Sequence, residues 1–165
     1  MKDLKTDPLT TGSNKILFIG IGNCGRGDDG LGWKITDMLK RYNCHFIDYE
    51  YRYQLQIEDA VLISGYDTVI FADASHAELE DGFEIKPCIA ANHYFFSSHL
   101  QSPETILYLA NNLYNKHPEA YTLAIAGHHW DLEISLSKKA QENLEVALVF
   151  FINYFLPAIE VKTIA

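Results

Sequence analysis

The chain carries its clearest structural signal in the stretch Lys15-Ile-Leu-Phe-Ile-Gly-Ile-Gly22. A continuous apolar run of this length, ended by glycines, is typical of a strand that helices cover on both faces of a parallel sheet. From about residue 30 to residue 41, apolar residues recur at helical spacing, and Lys40 and Arg41 lie where they complement the carboxyl end of the helix dipole. The stretch therefore predicts a central strand and the first βα unit of an α/β fold.

Strand and helix patterns alternate along the rest of the chain. A short strand is predicted at 45–49, buried strands at 68–72 and 121–126, and a weaker edge strand at 82–89. Helices are predicted at 55–64, from the Ser102 cap to about residue 116, and from the Ser137 cap to a stop at Pro157. This order predicts a single three-layer α/β domain over 15–157, with a mostly parallel twisted sheet and helices on both faces. Residues 1–14 and 158–165 are expected to be tails.

Composition and charge restrict the classes of partner. The formal net charge is −9 with scattered Lys and Arg, so the chain should repel a phosphate backbone, and we expect no nucleic-acid partner. We find no apolar stretch near the roughly 20 residues of a bilayer span and no signal peptide, and we expect a cytoplasmic protein without a membrane partner. Cys24, Cys44 and Cys88 form no Cys-x-x-Cys pair, which suits a reducing compartment.

The glycines between positions 20 and 25 allow an alternative interpretation. They follow a strand and precede a helix at the spacing of a dinucleotide-binding fingerprint, with Asp48 or Glu50 as the candidate ribose acid. However, Asp28 and Asp29 lie at the helix entrance, where two carboxylates would repel a diphosphate. We therefore favour a site for a cation over a site for a dinucleotide.

Three side chains from separate loops are candidate metal ligands. Asp29 follows the first strand, Asp73 follows the third, and His99 precedes the next helix. Because open α/β sheets bind ligands at the carboxyl ends of their strands, we expect these three to converge at one sheet edge. Two carboxylates and one imidazole would leave coordination positions open for water or substrate, which suits nickel or zinc.

Each candidate also has a plainer interpretation. An aspartate at a helix entrance commonly caps that helix, an aspartate after a strand commonly bonds its own backbone, and a loop histidine is commonly a surface residue. Spacing alone excludes none of the four competing imidazoles, which are His76, His93, His128 and His129.

Several short motifs resemble those of a known family. Ile19-Gly-Ile-Gly22-Asn23, followed by Asp28-Asp29-Gly30-Leu31-Gly32, resembles the amino-terminal signature of the hydrogenase maturation endopeptidases, which trim the large subunit of nickel–iron hydrogenases. Later motifs agree with that family in order and approximate spacing over residues 15–155, and they are Phe71-Ala72-Asp73-Ala74, Ser98-His99, Gly127 and Ser135-Leu136-Ser137. Two features depart from the family pattern: Leu-Gln-Ser after His99 and the aromatic stretch 49–53.

The resemblance implies an activity and a ligand set. It implies an endopeptidase that removes the C-terminal extension of a hydrogenase large-subunit precursor after nickel insertion. It also implies Asp29, Asp73 and His99 as metal ligands, with nickel either held by the chain or carried by the substrate. In one account Asp29 and Asp73 hold a metal that polarises the scissile carbonyl or activates water, and Asp28 accepts the proton. Equally, the metal serves to recognise the substrate, and a non-catalytic metal-binding or chaperone module remains the alternative function.

Two further hypotheses concern residues near this edge. Tyr49, Tyr51, Tyr53 and Leu55 are candidates for a partner groove, although alternating tyrosines on a strand are commonly half-buried sheet residues. Cys24 has no assigned imidazole base and is expected to be a small buried residue rather than a nucleophile.

Overall fold

The computed structural model of the chain describes residues 14–42, 44, 46–94 and 101–161. The strands are β1 (Ile16–Ile21), β2 (Ile47–Arg52), β3 (Thr68–Ser75), β4 (Phe83–Pro87) and β5 (Glu119–Ala126). The α-helices are α1 (Leu31–Arg41), α2 (Asp59–Ile63), α3 (Pro103–Tyr114), α4 (Lys138–Phe150) and α5 (Leu156–Val161). A 3-10 turn, Gly27–Gly30, precedes α1, and a π-helical turn, Phe151–Phe155, joins α4 to α5.

The five described strands form one sheet in the order β2-β1-β3-β5-β4. The neighbouring strands β2, β1, β3 and β5 pair in parallel, and β4 pairs antiparallel with β5 at the edge. All six residues of β1 are buried, as expected for a strand near the middle of a sheet that is covered on both faces. The prediction of a mostly parallel sheet with β4 at its edge is confirmed.

Two apolar clusters lie on opposite faces of the sheet. One contains Phe18 and Ile70 from the sheet with residues of α1, α4 and the π-helical turn, and the other contains Ile19 and Phe71 with residues of α2 and α3. Neighbouring residues of β1 and β3 thus point to opposite clusters, as the two-residue period of a strand requires. The predicted three-layer α/β architecture is confirmed.

Both predicted serine caps are present. The Ser102 hydroxyl accepts a hydrogen bond from the Thr105 N–H at the start of α3, and the Ser137 hydroxyl accepts one from Ala140 N–H at the start of α4. A side-chain acceptor at this position satisfies one of the amide donors that the first helical turn leaves unpaired, so these residues fix where α3 and α4 begin.

Pairing partners explain three of the differences between the observed and the predicted element bounds. The second strand lies at Ile47–Arg52 rather than 45–49, since it pairs with β1 through Ile21↔Arg52. The second helix is shorter than 55–64, because Leu55 forms an isolated bridge with Gln101 instead of a helical turn. The third strand runs beyond residue 72, because its ladder with β5 continues to Ser75↔Ala126.

The C-terminal helix corrects two expectations. Helical structure continues past Pro157 to Val161, so the predicted stop at Pro157 is too early, and buried Ile159 belongs to the core. The continuous helical segment 138–160 has 23 residues, and an 18-residue window within it has a mean hydropathy of 1.3, so by length and composition it could cross a membrane, contrary to our expectation for this chain. Its face containing Leu144, Leu148 and Phe151 packs against the sheet, which accounts for much of its apolar character.

Candidate functional site

The site lies where the strand order of the sheet reverses. The chain passes from β1 to β2 on one side and then returns to β3 on the other side of β1. Pairing between β1 and β3 ends at Gly20↔Ala72, whereas β3 continues along β5, so the two strands part at the residues that follow. Such a crevice beyond the carboxyl ends of diverging strands is the usual ligand position in open α/β sheets. Asp73 is the first residue of β3 beyond the last pair.

Gly22 brings the backbone of Asp29 close to Asp73. It has a φ of 134°, and a Cβ atom there would lie 2.0 Å from the Asp29 carbonyl oxygen and 3.9 Å from Asp73 Oδ1. The Asp29 carbonyl also accepts a 3.1 Å hydrogen bond from the Asn23 N–H. Because only glycine combines this φ with so close a contact, Gly22 is required for the observed approach of the 3-10 turn to β3. In the described chain the Asp29 backbone and the Asp73 side chain thus both lie close to Gly22.

The ionisation of the Asp73 carboxyl group depends on its surroundings and on the charge of Asp29. The Asp73 side chain is exposed, yet the surrounding protein deprives its carboxyl group of solvent. That loss of solvation and the negative charge of Asp29 together raise its pKa to about 7, against the lowering effect of a hydrogen bond from the Ala74 N–H. A second carboxylate nearby disfavours ionisation of Asp73, and a cation between the two would offset that repulsion.

Asp28 has a different environment from its neighbour. It has no exposed surface, and its carboxylate accepts hydrogen bonds from the N–H groups of His128, His129 and Ser137 and from the Ser137 hydroxyl, at 2.7 to 2.9 Å. Burial alone would raise its pKa, but these hydrogen bonds together outweigh burial and the pKa is lowered. This carboxylate is therefore a poor proton acceptor, and the geometry speaks against the catalytic role predicted for it.

The same contacts join the 3-10 turn to the loop between β5 and α4. Besides the carboxylate bonds, the Asp28 N–H donates to the His129 carbonyl at 2.8 Å and the Gly27 N–H donates to the Glu133 carbonyl at 2.6 Å. The Asp29 backbone is consequently held between Gly22 on one side and this loop on the other. We refer below to the hydrogen bonds around the Asp28 carboxylate as the Asp28 clamp.

The third predicted ligand, His99, lies outside the described residues, as do the other residues from 95 to 100. The chain re-enters the described part at Gln101, which bridges Leu55 just after the carboxyl end of β2. Within residues 14–42, 44, 46–94 and 101–161, there is no group of three or more His, Cys, Asp or Glu side chains that could hold a metal ion. The described residues thus supply two acids of the predicted set.

The competing imidazoles have other contacts. His76 stacks on Trp130 with ring centroids 3.7 Å apart, and His128 Nε2 lies 3.2 Å from Asn143 Nδ2. His129 Nε2 lies 3.1 Å from Glu133 Oε2. His93 is exposed in the loop that follows β4. None of these contacts directs an imidazole at the Asp29 carboxylate.

The aromatic side chains of β2 divide into two environments. Tyr49 packs against the core, and the Tyr51 hydroxyl donates a 2.6 Å hydrogen bond to Asp37 Oδ1 of α1, so both are half-buried sheet residues. Tyr53 is 67% exposed and packs against Trp33 at 5.0 Å, while Leu55 is buried. Of the proposed partner groove, Tyr53 alone presents a large accessible surface.

Cys24 is half-buried rather than fully buried as predicted. It packs so closely on Gly30 that a Cβ there would lie 2.9 Å from the Cys24 Cα atom. The dinucleotide interpretation is also not supported at this turn. Helix α1 begins only at Leu31, after a 3-10 turn that contributes two carboxylates where a diphosphate would need amide donors.

Two features of the site were not predicted from the sequence. One is the Asp28 clamp, whose members are 100 or more positions apart, so that no local spacing reveals it. The other is Trp130, whose ring lies over His76 and against Gly127, where an added Cβ would lie 2.7 Å from it. Gly127 and Ser137 were noted among the motifs, and the clamp and the contact with Trp130 give a physical reason for those two residue types.

Comparison with known proteins yields structural relatives only. No family model matches the sequence, and no curated protein matches it. The hydrogenase maturating endopeptidase HybD from E. coli superposes with a TM-score of 0.69 at 17% identity, covering 87% of this chain and 93% of that one. The [NiFe] hydrogenase maturation protease HycI from Thermococcus kodakarensis gives 0.65 at 20% identity, covering 85% and 91%. A hydrogenase 2 maturation peptidase from a Thaumarchaeota archaeon gives 0.61 at 16% identity, covering 86% and 97%.

These relatives cover nearly the whole of the described chain and most of their own length. At such low identity the superpositions establish the arrangement of strands and helices, and the resemblance noted from the sequence motifs is confirmed at that level. The chain therefore has the fold of the hydrogenase maturation peptidases.

Proposed function

We propose that the chain is an endopeptidase that removes the C-terminal extension of a nickel–iron hydrogenase large-subunit precursor after nickel insertion. The observation that carries the proposal is the pair of acids, Asp29 and Asp73, at the crevice between β1 and β3 of a fold that solved hydrogenase maturation peptidases share. The sequence motifs that contain both acids add independent support, because fold alone does not determine chemistry. The proposed cellular location is the cytoplasm.

We further propose that Asp29, Asp73 and His99 hold one divalent ion, nickel, which the precursor can also deliver. The chemistry of the two described side chains fits such an ion, because carboxylates are suitable ligands for borderline divalent metals and the two acids repel each other without one. When bound, the metal would polarise the scissile carbonyl or activate water. Asp29 and Asp73 would orient that group, and the Asp28 clamp would keep Asp29 in place.

The peptidase proposal is tested by incubating the purified chain with nickel-loaded large-subunit precursor from the same organism. Mass spectrometry should show the precursor shortened by one discrete C-terminal peptide. Precursor that lacks nickel should remain intact, because the proposed site recognises the metal-containing substrate. Stable capture of the loaded precursor without shortening would contradict the peptidase proposal and would favour the non-catalytic chaperone module.

The metal proposal is tested by calorimetric titration with nickel. The variants Asp29→Asn, Asp73→Asn and His99→Ala should each lower the affinity roughly 10-fold or more, since losing a ligand should cost at least as much as losing a residue that orients one. Binding by the unaltered chain should weaken as the pH falls through about 6.5, where an ordinary histidine gains a proton.

His76→Ala and His93→Ala are matched controls for the titration. His76 stacks on Trp130 and His93 lies in the loop after β4, and neither belongs to the proposed ligand set, so both variants should bind nickel as the unaltered chain does. Full affinity in all three ligand variants, or loss confined to a control histidine, would contradict the proposed ligand set. Circular dichroism establishes that each variant is folded.

A further inference from the structure

The outer edge of β4 exposes backbone groups that can accept another strand. β4 pairs only with β5 in the described sheet. Gly82 accepts a hydrogen bond from the Ala126 N–H, and the Cys88 N–H donates to the Ala120 carbonyl. In an antiparallel ladder alternate residues bond to the partner, so even-numbered residues face β5 and the backbone groups of Phe83 and Ile85 point outward. Pro87 shares this outward set, where its missing N–H costs no bond to β5.

An apolar groove of about 530 Å³ lies directly beside this edge. Phe83 forms one wall, and the exposed stripe of the C-terminal helix forms the other through Val146, Val149, Phe150 and Tyr154. These helical side chains are 52%, 54%, 36% and 67% exposed. Phe83 and Ile85 both pack toward the same helix layer, so the groove opens on the sheet face to which the outward-pointing residues of β4 direct their side chains.

The two features together define the conformation of an occupant. A segment that hydrogen-bonds to Phe83 and Ile85 must be extended, and every second side chain of such a segment would then point into the apolar groove. A helix placed on the same stripe would leave the edge of β4 unpaired. An extended segment with apolar residues at alternate positions therefore uses both features.

The charge around the groove bears on the overall charge of the occupant. Asp81 and Glu145 lie at its rim, and a second groove of about 490 Å³ continues from Asp81 and Val146 toward the end of β5. The second groove adds Glu78, Glu80 and Glu142 against a single lysine, Lys139. The one lysine of β4, Lys86, is already paired with Glu84 at 3.1 Å. A basic segment is favoured here, because an acidic segment would bring its negative charges close to those of the groove.

We propose that the edge of β4 and the groove beside it bind an extended, positively charged segment of a protein partner that has apolar residues at alternate positions. This docking surface is separate from the crevice at Asp29 and Asp73, since β5 lies between β4 and β3. It does not depend on the proposed peptidase activity. A second copy of the chain is a poor occupant, because pairing two β4 edges would bring their acidic rims together on molecules that each carry a net charge of −9.

The test uses the full chain and a fluorescently labelled peptide of four valines alternating with four lysines. Fluorescence polarisation should show saturable binding. A peptide with glutamate in place of lysine should not bind measurably. A third peptide, N-methylated at every second residue, should bind at least about tenfold more weakly, because methylation removes the donors that strand addition needs.

Two variants separate the apolar contribution from the charged one. Val149→Gln should weaken binding of the lysine peptide about fivefold or more through lost apolar burial. Glu145→Lys should weaken it at low salt, and the difference should largely vanish near 1 M salt because screening removes the charge effect. Val61→Gln and Glu58→Lys are matched controls at α2, on the opposite face of the sheet, and both should bind as the unaltered chain does.

Three results of the binding experiments would overturn the proposal. They are equal binding of the N-methylated peptide, equal binding of the glutamate peptide, and unchanged affinity in both Val149→Gln and Glu145→Lys. Sedimentation that shows a dimer of the chain weakened by the same two substitutions would assign the surface to a second copy and would also overturn it. Thermal unfolding of each variant verifies that the fold is retained.

Discussion

At the scale of single residues, the carboxyl groups of Asp28 and Asp73 have pKa values that are shifted in opposite directions, although both lie near one sheet edge. The Asp28 carboxylate is buried among four donors, and its pKa is lowered. Asp73 has one backbone donor, little solvation and a negatively charged neighbour, and its pKa is raised to about 7. The sequence predicted both as edge acids, but it could not separate them because the donors to Asp28 come from residues far along the chain.

The raised pKa of Asp73 makes the stability of the metal-free chain depend on pH. Between the ordinary value of 3.8 and about 7, the folded chain retains a proton at Asp73 that the unfolded chain has lost. Stability should therefore decrease as the pH rises through this window. Asp73→Asn removes the effect, so its Tm should match that of the unaltered chain near pH 4. At pH 8 we expect it to exceed that of the unaltered chain by roughly 1–4 °C, after allowing for the exposure of the side chain.

Scanning calorimetry of the metal-free chain at pH 4 and pH 8 measures this difference. Glu58→Gln is the control, because it neutralises an exposed carboxylate away from the crevice and should leave the Tm nearly unchanged at both values. A Tm advantage for Asp73→Asn that is as large at pH 4 as at pH 8 would show that the gain does not arise from ionisation of Asp73.

At the scale of elements, local signals predicted helix starts better than strand bounds. Ser102 and Ser137 act within one turn of sequence, so their caps were predicted correctly. The bounds of β2 and β3 depend instead on register with β1 and β5, and no residue of β2 or β3 encodes that pairing by itself. The convergence of Asp29 and Asp73 was predictable because parallel strands end at one edge, whereas the contact through Gly22 was not.

The Asp28 clamp is the main link between the first turn and the β5–α4 loop. Asp28→Asn places an amide donor opposite several donors, so we expect the free energy of unfolding at pH 7 to fall by about 3 kcal/mol. Because the folded pKa is lowered, the stabilisation by Asp28 is present above 3.8 and lost as the pH falls through the folded pKa. The difference between variant and unaltered chain should therefore shrink at acidic pH.

Urea unfolding at pH 7 and at pH 3 measures the effect of the clamp. Asp131→Asn serves as the control, since its side chain is 88% exposed in the same loop and should cost little. Equal unfolding free energies for Asp28→Asn and the unaltered chain at pH 7 would mean that the hydrogen bonds around Asp28 contribute nothing to stability.

At the scale of the whole molecule, the fold was largely predictable because its signals are repeated. The two central strands, β1 and β3, contain continuous apolar runs, and strands and helices alternate in the order that a doubly covered sheet requires. The C-terminal helix was the exception. Its apolar residues continue through Pro157, and only packing against the sheet shows that Ile159 is part of the core.

The central claim is that the acid pair at the crevice between β1 and β3 performs the cleavage of a hydrogenase precursor. It is tested most directly by following the release of the C-terminal peptide from nickel-loaded precursor by Asp29→Asn, Asp73→Asn and the exposed control Glu58→Gln. We expect both crevice variants to retain the fold and to lose activity by about 100-fold or more, as loss of a group that stabilises the transition state commonly does, while Glu58→Gln cleaves normally. Cleavage at the normal rate by folded Asp29→Asn and Asp73→Asn would contradict the account.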